Sequence, residues 1–306
     1  MATIGSSDLD VFPLCLGGNV FGWTADEHAS FAVLDAYVAA GGNFIDTADV
    51  YSNWVPGNSG GESETIIGRW FAARSNQASM VIATKVGHNR DLRREAILEG
   101  AERSLERLQT DRIDLYYAHN DDPETPLEES LGAFGELVRD GKVRYIGASN
   151  FTAERLSEAL AVSAREGLPS FVALQNEYHL LDRGYEDDTR EVVAGAGLAA
   201  LPYRGLAGGF LSGKYRPGAA AVDSPRASAA AAALDERGLA VLAALDAIAA
   251  AHGTTQSAVA LAWLLAQPTV VAPIASARSV EQLHEWLGAA ELTLSSSELD
   301  ALSSAG

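Results

Sequence analysis

The apolar run NFIDT, residues 43–47, carries a carboxylate at Asp46, and a phenol follows five residues later at Tyr51. Two more polar groups end later apolar runs: Lys85 closes MVIATK and His119 closes IDLYYAH. Singly, each has an ordinary structural use: a turn cap for Asp46, an interface ring for Tyr51, a solvated strand end for Lys85, a core imidazole for His119. Jointly they form a proton-transfer set. A phenol of unperturbed pKa about 10 is a reluctant acid, and a neighbouring ammonium makes its ionised form accessible. Asp46 can pair with and orient Lys85, and His119 can donate to a carbonyl oxygen.

Groups so far apart in sequence need a scaffold that gathers strand ends. Short runs rich in Val, Ile, Leu and Tyr alternate with stretches of helical period, the pattern of repeated strand–helix units with parallel strands. Candidate strands cover 13–17, 43–47, 80–85, 113–119, 145–150, 171–176, 198–203 and 270–275. Helical stretches lie near 26–40, 62–73, 93–108, 126–140, 152–166, 187–196, 238–252, 255–266 and 279–289. Eight units predict an α/β fold, a single closed (β/α)₈ barrel over residues 1–306, since such barrels typically take roughly 250 residues. Extra helices are expected after strand seven and at the C-terminus; an open doubly wound sheet is the rival. TIGSSDLDV, residues 3–11, reads as a hairpin that plugs the barrel floor. In a parallel barrel the C-terminal ends of all strands share one face, which brings Asp46, Tyr51, Lys85 and His119 together. The low-complexity stretch 216–237 reads as a mobile loop or an irregular helix.

Composition removes several classes of function. With 22 basic against 41 acidic side chains the formal charge is −19, which repels nucleic acid and anionic lipid surfaces. Cys15 is the only cysteine, so no internal disulfide forms. No basic and apolar leader opens the chain and no apolar run reaches membrane-spanning length, so the cytoplasm is the expected compartment. Three familiar motifs fail on context. GNSGG at 57–61 lacks the preceding strand of a nucleophile elbow. GAGLAA at 195–200 precedes a strand instead of following one. GGFLSGKY at 208–215 has Tyr215 where a phosphate-binding loop needs Ser or Thr. His, Cys and carboxylate residues show no metal-ligand spacing, and no metal is expected.

The phrases NFIDTADVY, ATK, IDLYYAH, GKVRYIGASNF, LQNEYH and GGFLSGKYRPG, in this order, resemble the aldo-keto reductase family over nearly the whole chain. The resemblance implies Tyr51 as general acid, with Asp46, Lys85 and His119 completing a tetrad that reduces an aldehyde or ketone, alcohol oxidation being the reverse. It also implies a cofactor groove. Ser149, Asn150 and Gln175 would bond the nicotinamide carboxamide, Tyr203 would stack on its ring, and Leu206 with Gly208 and Gly209 would pass the pyrophosphate. After strand eight, Ser276, Arg278 and Gln282 stand at a helix N-terminus, which favours an anion. Arg278 there would neutralise a 2′-phosphate, so NADP(H) is expected over NAD(H).

Phe21, Trp23 and Trp54, in loops after strands one and two, are expected to wall a substrate pocket, with Asn120 contacting a polar substituent. The expected partner is a small carbonyl or alcohol. Three features depart from the family pattern: Trp286 replaces an amide side chain near adenine, Arg204-Gly205 replaces Ser-Pro, and the GHNRDLRR connection after Lys85 is short. Arg204 is open to two readings, an extra contact to pyrophosphate or substrate and a cap of its loop. Two other readings stay open: a redox-sensing regulatory subunit that binds nicotinamide cofactor, and an aldolase-like barrel in which Lys85 forms a Schiff base.

Overall fold

The computed structural model describes residues 1–218, 224–225 and 227–306. Strands β1 (Ala2–Thr3) and β2 (Asp10–Val11) pair antiparallel as the expected hairpin. Eight more strands form one parallel sheet: β3 (Cys15–Gly17), β4 (Phe44–Asp46), β5 (Val81–Val86), β6 (Ile113–Ala118), β7 (Val143–Ser149), β8 (Phe171–Gln175), β9 (Ala199–Ala200) and β10 (Ile274–Ala275). Their order is β10-β3-β4-β5-β6-β7-β8-β9. The two ends of the sheet meet through a parallel bridge between Ala200 and Val270. There the Ala200 N–H donates to Thr269 O at 2.8 Å, and the Ile274 N–H to Pro202 O at 2.8 Å. The sheet thereby curls into the expected (β/α)₈ barrel.

Runs 198–203 and 270–275 yield shorter strands than their apolar length suggests. Each contains a proline, Pro202 or Pro273, which has no N–H to give the ladder. Their carbonyls still accept, Pro273 from the Cys15 N–H at 3.0 Å.

Helices α1 (Glu27–Ala39), α2 (Glu62–Arg74), α3 (Arg94–Leu108), α4 (Leu127–Arg139), α5 (Ala153–Glu166) and α6 (Asp188–Gly195) link successive strands. Between β9 and β10 come α7 (Ala227–Ala232), α8 (Glu236–His252) and α9 (Gln256–Leu265), followed after β10 by α10 (Val280–Leu287) and α11 (Ser296–Ala305). Asp26, Thr152, Asp235, Thr255, Ser279 and Ser295 start six of these helices, each side chain accepting an otherwise unbonded amide of the first turn. Within the low-complexity stretch, 219–223 and 226 lie outside the described residues. No single helix among the described residues is long and apolar enough to cross a membrane; α8 and α9 pass that test only together, bent by 97°.

The two-residue period of the strands divides the core. Phe44, Val81, Ala83, Leu115 and Tyr117 face the barrel interior, packed with Ile4 and Leu9 of the hairpin. Ile45, Ile82 and Tyr116 face outward into the layer beneath the helices. At the hairpin turn Gly5 has φ +51°, and a Cβ there would stand 2.3 Å from the Val172 carbonyl, so only glycine lets the plug seat this deeply.

Candidate active site

Strand parity decides which polar side chains enter the barrel mouth. Lys85 shares the inward parity of Val81 and Ala83, and Asp46 shares that of Phe44, so both project inward at the C-terminal rim. Tyr51 arrives from the turn after β4, and His119 directly follows β6. The structure brings all four together. The Lys85 ammonium donates to Asp46 Oδ2 at 2.6 Å, to Thr47 O at 2.7 Å and to the Tyr51 hydroxyl at 3.1 Å, which uses all three of its donors. The Tyr51 and His119 rings lie 6.1 Å apart, edge to face. His119 Nδ1 is buried without a hydrogen-bond partner among the described residues.

Burial governs the protonation states. It pushes the Tyr51 phenol above its ordinary 10, against the downward pull of Lys85. Desolvation outweighs the ammonium in the net, while Lys85 still favours the ionised form. Burial alone would lower Lys85, but the Asp46 carboxylate and the Tyr51 oxygen reverse that and hold the ammonium charged. Burial, then the charges of Lys85 and His88, bring His119 down to about 2. At neutral pH the site thus contains a neutral phenol, a paired ammonium and a neutral imidazole.

The residues expected at the nicotinamide are bonded into this same network. Gln175 Nε2 donates to Asp46 Oδ1 at 2.9 Å, and Ser149 Oγ to the Gln175 carbonyl at 2.7 Å. Asn150 sits in the left-handed region at φ +59°, which Asn tolerates. Its amide donates to His119 O at 2.8 Å and accepts the Tyr203 hydroxyl at 2.8 Å. All of these line one cleft of about 680 Å³, within the usual range for a small-molecule site.

The cleft continues past Arg204, Leu206, Gly208 and Gly209 to Ser276, Arg278, Gln282 and Trp286. Ser276 Oγ donates to Asn19 Oδ1 at 2.7 Å, and the Arg278 amide to Gln282 Oε1 at 3.2 Å, just ahead of α10. Gly208 and Gly209 adopt φ +67° and +99°; a Cβ on Gly209 would stand 3.4 Å from Lys214 Nζ. Bare backbone beside Lys214 and Arg204 is a cradle of the kind a pyrophosphate requires. The donor set therefore fits a nicotinamide dinucleotide. Arg204 pairs with Glu177 at 3.1 Å on the cleft wall.

Of the expected substrate-pocket residues, Trp23, Trp54 and Asn120 line the cleft. Trp23 and Trp54 meet edge to face at 5.5 Å, and Trp54 is 46% exposed. Phe21 is a correction. It is completely buried and packs in the layer between barrel and helices, its carbonyl accepting the Ser52 hydroxyl at 2.8 Å. Asn19, His88 and Lys214 line the cleft without having been singled out. Lys214 lay in the phrase set aside as a failed phosphate loop, and His88 in the short connection after Lys85; neither phrase shows which side chains turn inward.

The Aldo/keto reductase family matches residues 13–306. Similar curated proteins include the uncharacterized oxidoreductase YrpG of Bacillus subtilis, 37% identical across 95% of this chain and 91% of its own length. Protein tas of Escherichia coli is 34% identical across 95% of this chain and 93% of its own. Norsolorinic acid reductase B of Aspergillus parasiticus is 31% identical across 98% of this chain and 82% of its own.

Proposed function

The chain belongs to the aldo/keto reductase family, and from that premise we propose that it is a single-barrel reductase of aldehydes or ketones, dependent on NADPH, with Tyr51 as the general acid. The observation that carries this reading is the Asp46–Lys85–Tyr51 chain of contacts opening onto the cleft beside His119. When bound, the reduced nicotinamide supplies the two electrons and the hydrogen for the carbonyl carbon. The proton for the carbonyl oxygen comes from the Tyr51 hydroxyl.

Lys85 stabilises the phenolate as that proton leaves, and Asp46 keeps the ammonium aimed at the phenol oxygen. His119, neutral by burial, donates a hydrogen bond that orients and polarises the carbonyl. Ser149, Asn150 and Gln175 hold the carboxamide of the cofactor, and Tyr203 stacks on its ring. Because Asn150 and Gln175 also bond His119 and Asp46, the residues that place the cofactor also place the proton donors. Leu206, Gly208 and Arg204 pass the pyrophosphate. Ser276, Arg278 and Gln282 receive the adenosine end, where Arg278 pairs with a 2′-phosphate and favours NADP(H) over NAD(H). Trp23 and Trp54 form an aromatic wall for the substrate, and Asn120 contacts its polar part.

The test follows NADPH absorbance with a panel of aldehydes and ketones. Tyr51→Phe keeps the ring and removes the proton, so turnover should fall about 10²- to 10⁴-fold while cofactor binding persists. Equal rates in the two proteins would remove Tyr51 from the role. Tight cofactor binding with no turnover of any carbonyl would favour a regulatory subunit instead.

A further inference from the structure

The connection after β5 is short, and His88 is the side chain it contributes to the cleft. This loop is braced by the one after β6. Asn120 Nδ2 donates to the His88 carbonyl at 2.6 Å, and the buried Asp122 accepts the Leu92 amide at 3.0 Å. Ser130 of α4 donates to the Leu92 carbonyl at 2.8 Å. Asp122 is fixed in turn by the Thr125 hydroxyl at 2.5 Å and the Glu124 amide at 3.1 Å, while Arg155 of α5 holds the adjacent Asp121 at 2.8 Å. The two loops therefore form one cross-braced unit. It carries the His88 ring against the His119 ring, their centres 4.8 Å apart.

Both polar side chains of this unit that line the cleft have hydrogen-bonding capacity to spare. No side chain among the described residues bonds the His88 ring nitrogens, and an imidazole always keeps at least one N–H to donate. The Asn120 amide is the counterpart. Because its Nδ2 faces the His88 carbonyl, the amide orientation is defined, and Oδ1 accepts no hydrogen bond among the described residues. A donor and an acceptor on neighbouring side chains, beside the His119 ring, match a hydroxyl, which accepts and donates through one oxygen. A carboxylate could only accept there, and a methyl group could do neither.

We propose that His88 and Asn120 form a hydroxyl subsite next to the carbonyl position, and that the preferred substrates are 2-hydroxy aldehydes or ketones, with the hydroxyl on the carbon beside the one reduced. His119 takes the carbonyl oxygen, the His88 N–H donates to the neighbouring hydroxyl, and Asn120 Oδ1 accepts from it. Two imidazoles set ring to ring in this way serve two oxygens on adjacent carbons. The inference rests on the proposed reading that the carbonyl lies at Tyr51 and His119. Asp122 acts only through the two loops it ties, as a positioning residue.

The experiment compares 2-hydroxypropanal with 2-methylpropanal, which share a shape and differ by a hydroxyl in place of a methyl. His88→Phe keeps a ring and loses both nitrogens, so the ratio of the two kcat/KM values should fall about five- to tenfold from its wild-type value, and Asn120→Ala should lower it likewise. A merely structural role for His88 would depress both substrates together; an unchanged ratio in His88→Phe overturns the proposal. The unreducible amides 2-hydroxypropanamide and 2-methylpropanamide repeat the comparison without turnover, by calorimetric titration of the protein with and without NADPH. The hydroxy amide should bind about fivefold more tightly to the wild type and lose that advantage in His88→Phe. Equal affinities in the wild type, no binding of either amide, or an advantage that survives in His88→Phe overturns the subsite. Should Tyr51 not be the acid, Tyr51→Phe would reduce carbonyls normally while the amide preference persisted, so the two failures are told apart.

Discussion

At the scale of single residues, the buried Lys85–Asp46 pair serves both the fold and the chemistry. Replacing Lys85 with Met leaves the Asp46 carboxylate buried and uncompensated, at a cost of about 3–5 kcal/mol. The double variant Asp46→Asn/Lys85→Met should recover most of that stability and none of the reductase activity, as equilibrium denaturation and NADPH consumption would record. His119 gives a pH prediction with a definite sign. Its pKa falls from 6.5 to about 2 on folding, so in that window the unfolded chain binds a proton the folded one refuses. Stability is full above the ordinary value and declines as pH falls below it, by up to about 1.4 kcal/mol per pH unit from this group. His119→Gln should lose less stability between pH 7 and pH 5 by denaturant titration. Asp46, Lys85 and His119 were legible in the sequence because each ends an apolar run whose parity fixes where it points. Phe21 was not, because a loop has no such period and an aromatic there can turn to core or cleft alike.

At the scale of elements, the hairpin and the eight strand–helix units were legible from apolar period and turn residues. Strand lengths were less so, since Pro202 and Pro273 interrupt runs that hydrophobicity alone would extend. The plug depends on Gly5, whose backbone conformation and closeness to the Val172 carbonyl both exclude a side chain. Gly5→Ala should destabilise by more than about 1 kcal/mol, visible as a lowered thermal midpoint. Because the plug lies at the opposite end of the barrel from Tyr51, the variant should keep its kcat at temperatures where it stays folded. A matching fall in kcat would show that the floor and the mouth are mechanically linked.

At the scale of the whole molecule, a chain of formal charge −19 gathers Arg204, Lys214 and Arg278 along one cleft. These cations offset locally the field that would otherwise repel a phosphorylated ligand. If Arg278 meets the 2′-phosphate, Arg278→Ala should weaken NADPH by about tenfold, equivalent to about 1.4 kcal/mol, and leave NADH nearly unchanged in a fluorescence titration. Parallel weakening of both would place Arg278 elsewhere. The wall of the barrel is uneven: β5, β6 and β7 run six or seven residues, whereas β9 and β10 run two each, and the sheet closes there through the bridge from Ala200 to Val270, ahead of β10. Lys85 and His119 stand at the ends of thick staves, while Tyr203, Arg204 and Ser276 stand beside the thin joint. Breathing should therefore concentrate at that joint, where so few ladder bonds resist it. A bulky dinucleotide can then be admitted and released by a seam that yields, while the ammonium and the imidazole stay clamped on the longer staves of the cask.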